Sequence, residues 1–119
     1  MHETVLVSNL LMLAREELET YRVKRVNTVT IALGKLANAL PDALCFAFEA
    51  SAQHGFFKGA KLLIKELPIT AKCRDCDKVY SPDGFPFSCP ICGSVLFELT
   101  GGEEVYISSI DFEEDDVDI

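Results

Sequence analysis

Two cysteine pairs set the strongest limit on what this chain can become. Cys73 and Cys76 are separated by two residues, twelve residues follow, and Cys89 and Cys92 repeat the spacing. Two intervening residues let a tight turn aim both sulfurs at one ion, and two such turns facing each other give a tetrahedral sulfur cage. Soft thiolates select zinc or iron over hard cations, with zinc the first choice. Four thiolates leave no position open for water, so the zinc expected here is structural rather than catalytic. Gly93, just past the second pair, is free to take a left-handed backbone conformation. Two other uses of the motif are a pair of redox Cys-x-x-Cys sites and a rubredoxin-like iron centre. Colour in the purified protein would reveal the iron centre.

The segment around these cysteines needs the metal. Residues 70–93 hold four of the five cysteines, three of the five prolines and few large aliphatics. Such a stretch cannot bury enough apolar surface to fold unaided, and metal binding can make up the difference. The whole chain has 119 residues, enough for one domain with a small appendage. Its net charge is -8, with only 11 Lys and Arg, which opposes binding to nucleic acid or an anionic membrane. No apolar run approaches the roughly 18 residues of a membrane span, and no secretory signal pattern opens the chain. A cytoplasmic protein with reduced thiols is therefore expected. Cys45, away from the pairs, reads as a buried free thiol.

Outside the cysteine segment the pattern is that of an α+β fold. Residues 4–20 predict an amphipathic helix with Val5, Leu6, Leu10, Leu13, Ala14 and Leu18 inward, and an Arg15–Glu19 pair outside. Residues 26–33 are β-branched and roughly alternating, so they predict a strand ending at Gly34. A second helix starts near Pro41, faces inward with Leu44, Cys45, Phe48 and Ala52, and stops at Gly55. Lys61 to Leu67 predicts a second strand, closed by Pro68. Val95–Leu99 and Glu104–Phe112 around Gly101-Gly102 read as a hairpin, its last strand returning to the first sheet. Glu113 to Ile119 reads as a solvated acidic tail. The expected architecture is a small mixed or antiparallel sheet with two helices, carrying an inserted zinc-ribbon-like module. Residues 1–69 and 102–119 form a discontinuous α/β domain, and residues 70–101 form the zinc-binding domain.

The first three residues are Met1, His2 and Glu3. Histidine is too bulky for efficient methionine removal, so a free Met1 amine is expected. That amine titrates near pH ~8 and the imidazole near ~6.5, so both become neutral donors close to neutral pH. With the amides of His2 and Glu3 deprotonated, four nitrogens could surround one ion in a plane, an arrangement that suits Ni(II) or Cu(II). Taken alone, a histidine at position two fits a solvated end residue as well. His54 reads as a surface imidazole near a helix C-terminus.

Met-His-Glu, a following helix and the distal cysteine pairs together resemble the HypA/HybF family of hydrogenase maturation factors. The run Val29 to Gly34, Leu36, and the set Pro41, Asp42, Leu44, Phe46, Phe48 and Glu49 are similar to the family's first strand and second helix. Gly59, Ala60, Leu62 and Ile64 resemble its second strand. Cys89-Pro90-x-Cys92-Gly93 resembles its zinc module, and Gly102, Glu104, Ile107 and Ile110 its closing strand. The resemblance implies a nickel metallochaperone, not an enzyme. Ni(II) would be carried by Met1, His2 and Glu3, and structural zinc by Cys73, Cys76, Cys89 and Cys92. It further implies a HypB-type GTPase and the large subunit of nickel–iron hydrogenase as partners, with urease accessory proteins as others. The protein would act as a monomer or homodimer. The chain departs from the family at Lys35 and Lys58, where glutamate is frequent. It also lacks the histidines some relatives carry beside the zinc cysteines, since Asp77 and Gly93 stand there. The rival class is a zinc-ribbon nucleic-acid or transcription module, which the acidic charge opposes.

Overall fold

The computed structural model describes residues 3–115. Its elements run α1 (Glu3–Glu17), β1 (Val23–Gly34), α2 (Pro41–Ser51), a 3-10 turn (Gly55–Phe57), β2 (Lys61–Leu67), β3 (Thr70–Cys73), β4 (Val79–Tyr80), β5 (Phe97–Gly101) and β6 (Val105–Glu114). The strands make two three-stranded sheets, ordered β2-β1-β6 and β4-β3-β5. The chain divides into two compact units. One takes the residues up to Ala32, Asn38–Lys65 and the residues from Tyr106 on; the other takes Leu33–Ala37 and Glu66–Val105.

In the first unit α1 packs against α2. Helical spacing explains which side of α1 is inward: Val7, Leu10, Ala14 and, one residue past the helix, Leu18 are all buried. The expected inward face was turned from this one, because Val5 and Leu13 lie 50% exposed while Val7 holds the core. Arg15 does not take up the expected partner Glu19; its guanidinium lies 5.8 and 5.5 Å from the rings of Phe56 and Phe57. Pro41 opens α2 as expected, its missing N–H costing nothing in the first turn. The helix stops before the predicted Gly55, with the Ala52 N–H bonded to the Phe48 carbonyl. Gly55, at φ +65°, instead begins the 3-10 turn that buries Phe57.

β1 starts three residues earlier than expected and meets β6 along its length. The Gly34 N–H bonds the Glu104 carbonyl at one end, and the Asp115 N–H bonds the Arg22 carbonyl at the other. Partners in that reversed order make the two strands antiparallel. Arg25 pairs with Glu113, and Asn27 donates to Asp111. The acidic end is thus structured through Glu114 rather than beginning to fray at Glu113, while residues 116–119 lie outside the described residues.

The predicted hairpin does not form. β6 returns to the first sheet, as expected, but β5 pairs antiparallel with β3, with Ala71 opposite Leu99 and Cys73 opposite Phe97. The Gly101-Gly102 step is where the chain changes sheets. Gly102 adopts φ +117°, and its carbonyl accepts the Leu36 N–H at 2.7 Å. A Cβ at Gly34 would overlap that same carbonyl, so Gly34 is required by a backbone-to-backbone approach. The Glu104 carboxylate accepts the Gly102 N–H. Backbone N–H donors of Glu104 and Gly102 hold that carboxyl below its ordinary range.

Candidate metal centre

The two cysteine pairs sit in two turns with the same hydrogen-bond ring. In the first, the Cys73 N–H bonds the Lys78 carbonyl at 2.9 Å, and the Asp77 N–H bonds the Cys73 carbonyl at 3.0 Å. In the second, the Cys89 N–H bonds the Ser94 carbonyl at 2.9 Å, and the Gly93 N–H bonds the Cys89 carbonyl at 2.8 Å. Each ring needs a left-handed residue directly after its second cysteine. Gly93 supplies it at φ +76°, as its sequence position predicts. Asp77 supplies it at φ +63°, a conformation that aspartate tolerates better than most residues. The sequence alone had not singled out Asp77. The signal was its alignment with Gly93, each one residue past the second cysteine of its pair.

β3 anchors the first turn. Cys73 is its last residue and is fully buried, and the Arg74 N–H reaches across to the Leu96 carbonyl. The second turn rests on an aromatic group: buried Phe87 stacks on Phe85 at 4.1 Å between centroids and meets Phe97 at 5.0 Å. The four sulfurs converge, all lying within 4.8 Å of one another. Cys73 and Cys92 are 3.5 Å apart, and Cys76 and Cys89 are 3.6 Å apart. A disulfide needs about 2.05 Å, so no such bond is present in either pair. A regular tetrahedron with metal–sulfur bonds of about 2.3 Å has edges of about 3.8 Å. The sulfurs therefore stand where a four-thiolate metal site requires them.

Their protonation behaviour carries the same message. N–H groups of Cys92 and Ile91 stabilise the Cys89 thiolate and bring that thiol down to about 7. At Cys92 the Ser94 N–H pulls downward, but the Cys73 sulfur, burial and the other two sulfurs outweigh it and push the thiol up to about 12. Cys76 ends up raised as well: the Lys78 N–H lowers it, and burial with the Cys89 and Cys73 sulfurs prevails. Four sulfurs this close cannot all ionise by themselves, because each charge opposes the next. A dication at their centre removes that conflict.

Cys45 and Glu3 belong to the other unit. Cys45 is half-buried on α2, its thiol 3.6 Å from the Leu62 carbonyl. Burial raises it, with Asp42 and Glu49 adding to the effect. Glu3 is the first residue of α1, whereas Met1 and His2 lie outside the described residues.

A small α+β protein with a zinc-ribbon-like module and a closed four-thiolate donor set belongs to the class of metal-binding proteins whose sulfur cage is structural rather than catalytic. The family model described as "Hydrogenase/urease nickel incorporation, metallochaperone, hypA" matches residues 1–112, and the chain belongs to this HypA family. The family is one of metallochaperones, not enzymes. Among relatives, the hydrogenase maturation factor HypA of Desulfitobacterium hafniense is 38% identical over 114 residues, covering 96% of this chain and 100% of that protein. HypA of Moorella thermoacetica is 36% identical over 107 residues, covering 90% and 95%. The solution structure of the Ni metallochaperone HypA from Helicobacter pylori superposes with a TM-score of 0.69 at 25% identity, covering 97% of this chain and 100% of that one. Among the described residues, no helix is long and apolar enough to cross a membrane.

Proposed function

We propose that this chain binds one Ni(II) through the Met1 amine, the His2 imidazole and amide, and the Glu3 amide. It delivers the ion to the large subunit of a nickel–iron hydrogenase in the cytoplasm, working with a HypB-type GTPase. Urease, reached through its accessory proteins, is the second acceptor consistent with the family's description. The family match over residues 1–112, which includes Met1, His2 and Glu3, carries the reading. The start of α1 supports it physically. The first four N–H groups of a helix have no intrahelical acceptor, so recruiting the Glu3 amide to a metal breaks no helical bond.

Zn(II) is the metal assigned to Cys73, Cys76, Cys89 and Cys92, because soft thiolates in a closed tetrahedron favour it. Residues 70–101 are then a rigid zinc-binding part that presents a surface to partners. Residues 1–69 and 102–119 form the nickel-binding part. The two metals differ in purpose. A closed sulfur cage keeps its ion, while a planar nitrogen site is open above and below and permits exchange with an acceptor. Cu(II) would bind the nitrogen set more tightly than Ni(II) by the usual affinity order, so selectivity rests on metal supply and on the partner proteins.

Calorimetric titration of Ni(II) into the zinc-loaded, untagged protein tests the assignment. One nickel per chain, proton release, and loss of binding on acetylating the amine are expected. His2→Ala is expected to abolish nickel binding and leave zinc and fold intact. Full nickel affinity in His2→Ala would overturn the N-terminal site.

A further inference from the structure

Beside the sulfur cage lies a polar atom with no partner. Among the described residues, the Tyr80 hydroxyl is the one buried side-chain oxygen or nitrogen without a hydrogen bond. Its position follows from the register of a short ladder. Tyr80 on β4 stands opposite Ala71 on β3, and Val79 stands opposite Lys72. Residues directly opposed across a ladder project to the same face, and so do residues two apart along one strand. Tyr80 therefore shares its face with Ala71 and Cys73, both fully buried, while Val79 on the other face is 66% exposed. Cys73 is the diagonal neighbour of Tyr80, a separation that an aromatic side chain can bridge. Burial raises the pKa of the phenol, and the nearby sulfurs, Cys89 and Cys73 first, add to the effect.

Buried hydroxyls without an acceptor are rare. Four thiolates around one dication keep a formal surplus of two negative charges, which calls for hydrogen-bond donors around the sulfurs. Backbone N–H groups already serve there, among them that of Cys76, which donates to the Cys73 sulfur at 3.5 Å. We propose that Tyr80 is a positioning residue of the metal centre: its hydroxyl donates a hydrogen bond to the metal-bound thiolate of Cys73, and so disperses charge from the sulfur cage. The proposal rests on the assignment of a four-thiolate metal site. Its consequence is slower metal loss, since a thiolate that accepts a hydrogen bond is a poorer target for protons. Phenylalanine would keep the ring and its packing and remove only the donor.

The test compares the full-length protein with Tyr80→Phe, each loaded with zinc and, separately, with Co(II) as a coloured probe. Partners of this kind usually change metal affinity by roughly 10- to 100-fold, so zinc transfer to a chromophoric chelator is expected to be easier by about that factor in the variant. The sulfur-to-cobalt charge-transfer bands are expected at lower energy in Tyr80→Phe, because a thiolate without its hydrogen bond gives up an electron more readily. A role in packing alone would not move those bands. Superimposable cobalt spectra with unchanged zinc retention would overturn the proposal and leave the four-cysteine site standing. A wild-type protein that gives no tetrahedral four-thiolate cobalt spectrum would overturn the site assignment itself, and the role of Tyr80 with it.

Discussion

The helical unit and the cysteine unit solve the same problem by different means. The helical unit buries Val7, Leu10, Ile31, Leu44, Phe48 and Phe57, large side chains from both helices, the sheet and the 3-10 turn. Apolar burial of that kind stabilises a fold without help. The cysteine unit buries Leu33, Ile69, Ala71, Phe87 and two of its own candidate ligands, Cys73 and Cys89. Its two turns are closed by short hydrogen-bond rings and meet at four sulfurs. The contrast teaches that stability can be carried by side-chain area, and that a unit poorer in it carries a donor set through which a bound ion would supply the rest.

Removing the ion should split the two most sharply. Zinc binding free energy in small sites is on the order of 10 kcal/mol and is folding free energy. Stripping the metal at neutral pH, or Cys89→Ala, is expected to abolish amide hydrogen-exchange protection in residues 70–101 and to spare the protected amides of α1 and α2. Loss of protection in both would break the comparison. Phe48→Ala is the converse, at about 3–5 kcal/mol for a fully buried ring. It is expected to lower the unfolding midpoint of the helical unit while the zinc content, measured by metal analysis, stays at one per chain.

The two turns sharpen the contrast inside the cysteine unit. A side chain in the left-handed region costs about 1–2 kcal/mol, so Gly93→Ala is expected to lower the thermal stability of the zinc-loaded protein by about that amount. Asp77→Gly is expected to change it by less, since glycine relieves strain but frees the unfolded chain. Calorimetric melting of both variants checks the pair.

The smallest effect concerns Glu113. A hydrogen bond from Arg25, with its charge, holds the Glu113 carboxyl below its ordinary value. A carboxyl depressed in the folded state contributes stability above its unfolded value, near ~4.3, and loses it as pH falls through the folded value. Glu113→Gln is therefore expected to flatten the acid side of the helical unit's stability profile slightly, and less so in high salt. Denaturant melts at several pH values would record it.

Sequence reading found what depends on local chemistry. The spacing of Cys73, Cys76, Cys89 and Cys92, the start of α2 at Pro41 and the bounds of β2 each follow from a few adjacent residues. β3 and β4 escaped, because four and two residues are too short to show a period. The false hairpin has the same origin. Gly101-Gly102 is a sound local turn signal, but pairing was decided by Thr70 to Cys73 and by Gly34, both distant in the chain. The inward face of α1 was misjudged because Val5, Leu6, Val7 and Leu13 offer two competing stripes, and only packing against α2 selects Val7.

The four sulfurs are not equally sheltered. Cys73 and Cys89 are buried, Cys76 is half-buried and Cys92 is exposed. Chemical attack on such a cage has a preferred order. A competing ligand or an alkylating agent would meet Cys92 first, while the other three sulfurs would still hold a bound ion. Erosion of the centre would then follow the concentration and size of the reagent rather than the frequency of global unfolding. The corner at Cys92 is where such attack would begin.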